Sequence, residues 1–496
     1  MGDEKAIPEL TAEEKQALAE IIKPKTPKSI ILYNLLKDWA VEVFRDADTS
    51  EWLCRYTNDG LYQIEGLYGE NFLSWALSKF YDATGKTISS ATAKEAFLLL
   101  QAQSFETRKT FIRVGEHCGR TYIDLCNDAY EAIEIDCSGW RIVQDPPVMF
   151  RRSRYSKILP YPREGGSIET LKTLGNFASE ADYILTAGWL VTSLNPYGPF
   201  PILALSSEHG SGKSTLMTLL QRIIDPQATE RLSPFKDIDG LFSAAAGRWV
   251  VPLDNCGKIN IEMSDNFCRL ATGGGLSKRQ LFTDNESFSV SVVRPLALNG
   301  IALSLGRMDL LDRSYCVGLS PIKIRKTEGE IYDNFERIQP LLLGALCTAV
   351  SAALREKDYR PDRLPRMADG AAFILRAEKG GGLPWSVGTF ASTLEKREAL
   401  KIEVALLEDP TGAALLHLMR GDDGRNEFVG TASDLLRVLV FETREEERMY
   451  LPKLPRWLST RLEELAPFLR AKGIVVRNEP RKTDQRLIRI TKILAS

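Results

Sequence analysis

The chain has 496 residues, 44% of them hydrophobic and 26% charged, with a formal net charge of −2. That is the profile of an ordinary globular protein, long enough for roughly three domains of about 100–200 residues each. No run approaches the roughly 20 apolar residues of a membrane span, and no charged-then-apolar leader opens the chain, so a cytoplasmic protein with no membrane contact is expected. Eight cysteines without a C-x-x-C pair and only three histidines argue against structural zinc and for free thiols in a reducing compartment.

Residues 1–28 read as a polar, acidic lead. Ser29–Arg45 has the apolar spacing of a helix, Leu53–Glu65 alternates toward strand, and Asn71–Tyr81 and Ala91–Gln103 are again helical. Thr84-Gly85-Lys86-Thr87 imitates the end of a phosphate loop, but Phe80 stands in its first-glycine position and a helix precedes it, so a turn is expected. From Thr110 to Phe150 the chain becomes β-rich, in the runs Phe111–Val114, Thr121–Asp124, Ala132–Asp136 and Trp140–Val143. A basic connector with Arg151, Arg152, Arg154 and Lys157 leads to a domain boundary near Pro162–Gly166, and is read either as a DNA contact or as a solvated linker.

Ser167–Leu194 is helical and leads into Pro201–Thr215, PILALSSEHGSGKST. Ile202–Leu205 has the length of a buried strand, and Leu216, Met217, Leu219, Leu220, Ile223 and Ile224 line one face of the helix that follows. A strand, a small-residue loop and a helix in this order form a phosphate cradle, whose glycines let backbone N–H groups close around the anion at a positive helix end. Against G-x-x-x-x-G-K-[ST] the one departure is Ser207 at the first glycine. The loop residues Glu208, His209, Gly210, Ser211, Gly212, Lys213, Ser214 and Thr215 are expected to bind a nucleoside triphosphate. Lys213 would reach the β- and γ-phosphates and Ser214 would bring its hydroxyl to Mg²⁺.

Lys236–Gly247 reads as a helix and Arg248–Asn255 as a second nucleotide strand, with Asp254 at its end to hold Mg²⁺ through water. Pro252 sits badly in a central strand, and Asn255 stands where many such enzymes place a second carboxylate. After a helix over Ser264–Thr272, Lys278-Arg279 precede a β-hairpin that turns at Asp284-Asn285-Glu286. Pro295–Ile301 is an apolar strand ending in Asn299, either a neutral amide that orients the attacking water or a turn-former before Gly300. Arg313 lies in a helix-to-strand corner, from which it either reaches a neighbouring subunit's nucleotide or pairs locally with Asp309 or Asp312.

Glu328–Leu354 is one or two long helices, a helix runs to about Glu378, and Trp385–Leu407 is another. From Leu451 to Ser496 there are eleven basic and four acidic side chains, a net of +7 on a slightly acidic chain. A basic end of this kind is the footprint of nucleic-acid binding. Thr431–Leu439, Pro455–Pro467 and Leu487–Ile493 suggest two helices and a β-wing with Arg477, Arg481, Lys482 and Arg486. The wing would meet phosphates and the helix Pro455–Leu465 a major groove.

The segments LDN, CRLATGGG, LFTD, RPLALNGI, DLLDRS, LPRMAD and GTASDLL follow the phosphate loop in one order. Together they resemble the superfamily 3 helicases and related AAA+ ATPases of phages and integrated mobile elements. Within these they resemble the replication ATPases at the C-terminal ends of poxvirus-like and phage primase–helicases. The resemblance covers roughly residues 30–496 and implies an α/β P-loop AAA+ core with an α+β N-terminal domain and a C-terminal winged helix. The expected bounds are 29–162 for the N-terminal collar, 163–380 for the core with its helical lid, 381–425 for a helical connector and 426–496 for the winged helix.

Carried over by position, Lys213 and Ser214 match the nucleotide-binding pair, Asp254 the metal carboxylate, Asn299 the polar sensor and Arg313 the trans-acting arginine. Arg366 is similar to a second sensor on the lid, and Lys278 and Arg279 with their hairpin resemble the pore element that grips single-stranded DNA. The resemblance therefore implies an ATP- and Mg²⁺-dependent helicase. It would form a homo-oligomeric ring, a hexamer, with single-stranded DNA in the pore and duplex or fork at the winged helix. No primase motif is visible, so a primase would be a separate partner. Ser207, Pro252 and Asn255 depart from the pattern and leave the general base open. The alternative is an ATP-dependent initiator or regulator that assembles on DNA without unwinding it, and a weaker third reading is a defence or signalling NTPase.

Overall fold

The computed structural model describes residues 26–493 apart from 209, 236, 258, 275, 280–286, 291, 301–307, 362–363, 365–366, 421–425, 444 and 480–485. At 276–279, 287–290, 308, 405, 408, 420 and 447 it describes the backbone alone. The expected acidic lead thus lies almost wholly outside the described residues.

A helix over Lys28–Asp38 opens the described chain. It stops short of the expected Arg45 because Ala40 takes a left-handed φ of 54°, which reverses the chain. The following residues form β1 (Glu42–Asp46) instead. The run read as one strand is a hairpin, β2 (Trp52–Asn58) and β3 (Leu61–Gly66). Asp59-Gly60 turns it with both φ positive, at 50° and 81°, the conformation a tight two-residue turn requires. Helices Glu70–Thr84 and Ser90–Gln103 pack on this sheet, which β4 (Thr107–Arg108) completes in the order β3-β2-β1-β4. Gly85 ends the first of these helices at φ 63°, so the Thr84–Thr87 imitation of a phosphate loop is a helix cap.

Strands β5 (Val114–His117), β6 (Arg120–Asp124), β7 (Glu131–Asp136) and β8 (Gly139–Gln144) form an antiparallel meander. The first sheet has its own core around Phe72, Phe97 and Leu36. The meander instead shares a core with helices Glu180–Ser193 and Lys213–Ile224, through Val114, Ile123, Ile133 and Ile135. Arg113 pins the two together. Its Nε donates to Asp225 Oδ1 at 3.0 Å, and its Nη1 and Nη2 donate to the carbonyls of Asp124 and Lys157, each at 2.9 Å. Asp225 Oδ2 in turn accepts the backbone N–H groups of Trp249 and Val250.

The central sheet contains β9 (Ile202–Ser206), β10 (Val251–Leu253), β13 (Leu296–Gly300) and β14 (Ser314–Gly318). Its order is β10-β13-β9-β14 and every pairing is parallel. Alternate side chains of β9 enter opposite cores, as a two-residue period demands. Leu203 and Leu205 join helices Glu180–Ser193, Lys213–Ile224 and Glu328–Arg355 on one face. Ile202 and Ala204 join helices Ile238–Ala246 and Ile261–Thr272 on the other. Between β10 and β13, β11 (Leu276–Arg279) and β12 (Ser287–Val290) pair antiparallel as a hairpin.

Pro252 fits this sheet because its missing donor faces outward. Val251 donates to Pro295 on the β13 side, while the Pro252 carbonyl accepts Leu232 N–H on the other. Leu232 bridges Leu253 in parallel and so adds a single residue of fifth strand outside β10.

Helix Glu328–Arg355 is long and apolar enough to cross a membrane by length and composition, and 67% of its apolar window is buried. This corrects the expectation that no such segment exists. The helix is apolar because it is a core helix: Gly344 lets it touch the Arg163 backbone, where a Cβ would fall 2.0 Å from the carbonyl oxygen.

After helices Ala368–Lys379 and Thr389–Glu408, a further core gathers around Leu406, Leu415, Leu439, Leu462 and Ile490. It is built from helix Pro410–Arg420, β15 (Glu427–Thr431), helices Ala432–Glu442 and Pro455–Ala471, β16 (Ile474–Asn478) and β17 (Leu487–Lys492). Its sheet has the order β15-β17-β16 and is antiparallel.

Candidate functional site

The loop after β9 turns on two left-handed glycines, Gly210 at φ 75° and Gly212 at φ 82°, and Gly212 caps the helix that begins at Lys213. Both positions are strained for any other residue. Ser207, in place of the expected glycine, shares a hydroxyl–hydroxyl hydrogen bond with Ser211, whose Oγ also donates to the Glu208 carbonyl at 3.0 Å. Lys213 is buried, and its ammonium donates to the carbonyls of Ser207 at 2.6 Å and Glu208 at 2.7 Å. Burial pulls its pKa below 10.5, and the Asp254 carboxylate works against that shift. Thr215 is half-buried on the first helical turn and Glu208 is exposed. His209 lies outside the described residues.

The parallel register brings the other strand ends to this loop. Asn299 on β13 pairs with Leu205 of β9, and Asp254 follows β10 on the far side of β13. Ser214 Oγ donates to Asp254 Oδ1 at 2.8 Å, and Asn299 Nδ2 lies 3.5 Å from the same hydroxyl. Asn299 is buried, and its Oδ1 accepts Asn255 N–H at 2.7 Å while its carbonyl accepts Cys256 N–H at 2.7 Å. The amide therefore fixes the turn that presents Asp254. Asn255 itself sits at φ 60° with an exposed side chain.

Lys213, Ser214, Asp254 and Asn299 thus meet at the C-terminal edge of three adjacent parallel strands, the place where open α/β sheets bind ligands. One further residue joins them that the sequence did not single out. Arg231 Nη1 pairs with Asp254 Oδ2 at 3.0 Å, at the mouth of a cleft of about 380 Å³ lined by Glu230, Arg231, Ser233 and Asp254. Only the bridge between Leu232 and Leu253 puts it there, and that pairing has no local signal.

The Ser214 hydroxyl and the Asp254 carboxylate are hard oxygen donors that suit Mg²⁺, which usually keeps several waters and leans on phosphate oxygens for the rest. Among the described residues no group of three or more His, Cys, Asp or Glu could form an all-protein metal cage.

Arg313 is elsewhere. Ser314 pairs with Ile202 and Gly318 with Ser206, so Arg313 sits at the start of β14, one strand length (about 16 Å) from the sheet edge that bears Lys213. Within the chain its guanidinium pairs with Asp309, donating also to that residue's carbonyl at 2.9 Å. Arg366 lies outside the described residues.

Lys278 and Arg279 lie within β11, opposite Phe288 and Ser287 of β12, rather than before the strand. In the C-terminal unit Arg477 and Arg486 are exposed near the ends of β16 and β17, while Arg481 and Lys482 lie outside the described residues. Several charges of the basic end are engaged internally: Arg461 with Asp409 and Glu464, Lys472 with Glu403, and Arg489 with Glu427 and Glu479.

No curated protein matches the chain. Among solved structures, the apo NrS-1 C-terminal region (305–718) is similar at 12% identity, with a TM-score of 0.40 over 94% of this chain and 99% of that one. Cdc6p from Pyrobaculum aerophilum is similar at 13% identity, with a TM-score of 0.18 over 65% of this chain and 90% of that one. Two family profiles match the sequence itself. The actinomycete integrative conjugative element replication protein matches residues 168–394, which hold Lys213, Asp254, Asn299 and Arg313. The C-terminal domain of the same family, AICE RepA, matches residues 411–495. With both profiles present in succession over well more than half its length, the chain belongs to the replication-protein family of actinomycete integrative conjugative elements.

Proposed function

We propose that the chain is an ATP-driven DNA translocase, a replicative helicase of its mobile element, working as a ring with ATP at the subunit seams. The observation that carries this reading is the meeting of Lys213, Ser214, Asp254 and Asn299 at one edge of the parallel sheet. Lys213 would exchange its two loop carbonyls for the β- and γ-phosphates, which are better partners for a buried ammonium. Ser214 and Asp254 would hold Mg²⁺, which neutralises phosphate charge when bound. Asn299, already fixed by Asn255 N–H, has its amide nitrogen turned toward Ser214 and would orient the attacking water. Arg313, too far from its own loop by strand register, would serve the neighbour's nucleotide. The β11–β12 hairpin would grip single-stranded DNA, with Lys278 and Arg279 on its outgoing strand. The C-terminal unit, read as a winged helix, would hold duplex or fork through Arg477, Arg481, Lys482 and Arg486.

The test is ATP turnover and strand displacement on a forked duplex by the full chain. Wild type should do both and Lys213→Ala neither. Wild-type protein that binds no ATP would end the proposal.

A second reading, an ATP-dependent switch that assembles on DNA without unwinding it, is favoured by one feature. Asn255 is exposed and supplies no carboxylate next to Asp254, which would make turnover slow. Assembly on the fork with ATP but without displacement would select it.

A further inference from the structure

The segment after β14, Ser320–Thr327, reads SPIKIRKT, and its residues from Pro321 onward are exposed. It leaves the sheet at the same edge as the phosphate loop, since Gly318 pairs with Ser206. It is fixed at both ends. Asn176 holds one, its carbonyl accepting Ser320 N–H at 2.8 Å and its Nδ2 donating to the carbonyls of Ser320 at 2.7 Å and Pro321 at 2.9 Å. At the other end Thr327 and Glu330 form a reciprocal cap on helix Glu328–Arg355.

Between these anchors the segment passes over the loop. A Cβ on Gly212 would lie 3.2 Å from Ile322 Cδ1, and a Cβ on Gly210 would lie 3.8 Å from Arg325 Nη2. Among the described residues the Arg325 guanidinium has no hydrogen-bond or ion-pair partner. An arginine is thus held against a loop that already concentrates a lysine ammonium, backbone N–H groups and the positive end of a helix. With no anion present, that grouping of like charge is unfavourable. A polyphosphate placed there would reverse the sign of every one of these terms.

We propose that Arg325 is a nucleotide-binding residue contributed in cis, a guanidinium that closes over the phosphate chain from the side opposite the loop backbone. The proposal rests on the phosphate-loop reading above and names a ligand contact that the sequence motif does not contain. A planar guanidinium can take two phosphate oxygens at once, which an ammonium cannot. Arg325→Lys should therefore recover only part of what Arg325→Ala loses.

The test is equilibrium binding of a fluorescent, hydrolysis-resistant ATP analogue with Mg²⁺ to the full chain. Wild type, Lys213→Ala, Arg325→Ala and Arg325→Lys would be compared, with thermal midpoints recorded without nucleotide. The expected result is about tenfold weaker binding for Arg325→Ala, as for a lost charge-assisted hydrogen bond, and an intermediate value for Arg325→Lys. Without nucleotide the midpoint should be unchanged for Arg325→Lys and no lower than wild type for Arg325→Ala, which relieves the like-charge grouping. If wild type binds and Lys213→Ala does not, while Arg325→Ala binds like wild type, the Arg325 proposal fails and the phosphate-loop reading stands. If wild type itself does not bind, the loop reading fails first. If Arg325→Ala binds nucleotide normally but loses affinity for a single-stranded oligonucleotide, the segment is a nucleic-acid contact and the proposal is overturned.

Discussion

Arg113 and Arg313 each pair with one aspartate, in opposite surroundings. The Arg113–Asp225 pair is sealed, with side-chain exposures of 2% and 0%, and Arg113 holds a φ of 63° to reach it. Truncating one member of such a pair leaves a buried charge, which costs about 3–5 kcal/mol. The expected loss for Arg113→Ala is at the low end, roughly 3 kcal/mol, because Asp225 keeps donors from Trp249, Val250 and Gln227. Urea unfolding followed by tryptophan fluorescence measures it. Arg313–Asp309 is an i,i+4 pair whose carboxylate is 42% exposed, and such pairs stabilise by about 0.2–0.5 kcal/mol. Arg313→Ala should therefore unfold like wild type, yet lose roughly 10³-fold in turnover if the arginine completes a neighbour's site. A large stability loss would assign Arg313 to the fold instead.

The cap of the long helix gives a prediction at the scale of an element. Glu330 is pulled below its ordinary 4.5 by hydrogen bonds from Thr327, the backbone N–H first and the hydroxyl second. Its pKa is lower folded than unfolded, so its contribution is complete above about pH 4.5 and fades as pH falls through the lowered folded value. Gln at this position keeps the capping geometry without the titration. The thermal-midpoint difference between wild type and Glu330→Gln should stay constant from pH 7 to near 4.5 and shrink below it. A difference that is flat to pH 3.5 would remove the carboxylate from the cap.

Elements were legible in the sequence where their signals are local. Strand β9 and helix Lys213–Ile224 lie next to each other in the chain, and periodicity marks both. Ser29–Arg45 carries the spacing of one helix, yet a single left-handed residue, Ala40, divides a helix from a strand without any glycine or proline to announce it. Helix Pro410–Arg420 and strand β15 share the core of the C-terminal unit without a pattern in the sequence that marks them.

At the scale of the whole molecule, what stayed hidden is what strand pairing brings together. Arg231 reaches Asp254 through a one-residue bridge, and Arg325 reaches the loop through the Ser320–Thr327 segment, whose course no local pattern announces. The strongly basic C-terminal end is also less available than its count suggests, because Arg461, Lys472 and Arg489 are paired with Asp409, Glu403 and Glu427 of the same chain.

The same sheet geometry makes the ring reading testable by mixing. Lys213 and Arg313 lie at opposite ends of the β9–β14 pair, so one protomer cannot easily bring both to one nucleotide. If the active site is a seam, a Lys213→Ala protomer still offers Arg313 to its neighbour, and an Arg313→Ala protomer still offers Lys213. Each variant alone should be inactive. Mixed in equal amounts and allowed to reassemble, they should form intact seams at roughly a quarter of head-to-tail interfaces and recover turnover toward that fraction. The recovered activity should rise with protein concentration, since it depends on association. A mixture as inactive as its components, under conditions where wild-type subunits exchange freely, would mean that both residues serve a single protomer or that no seam forms, and the translocating ring would have to be abandoned.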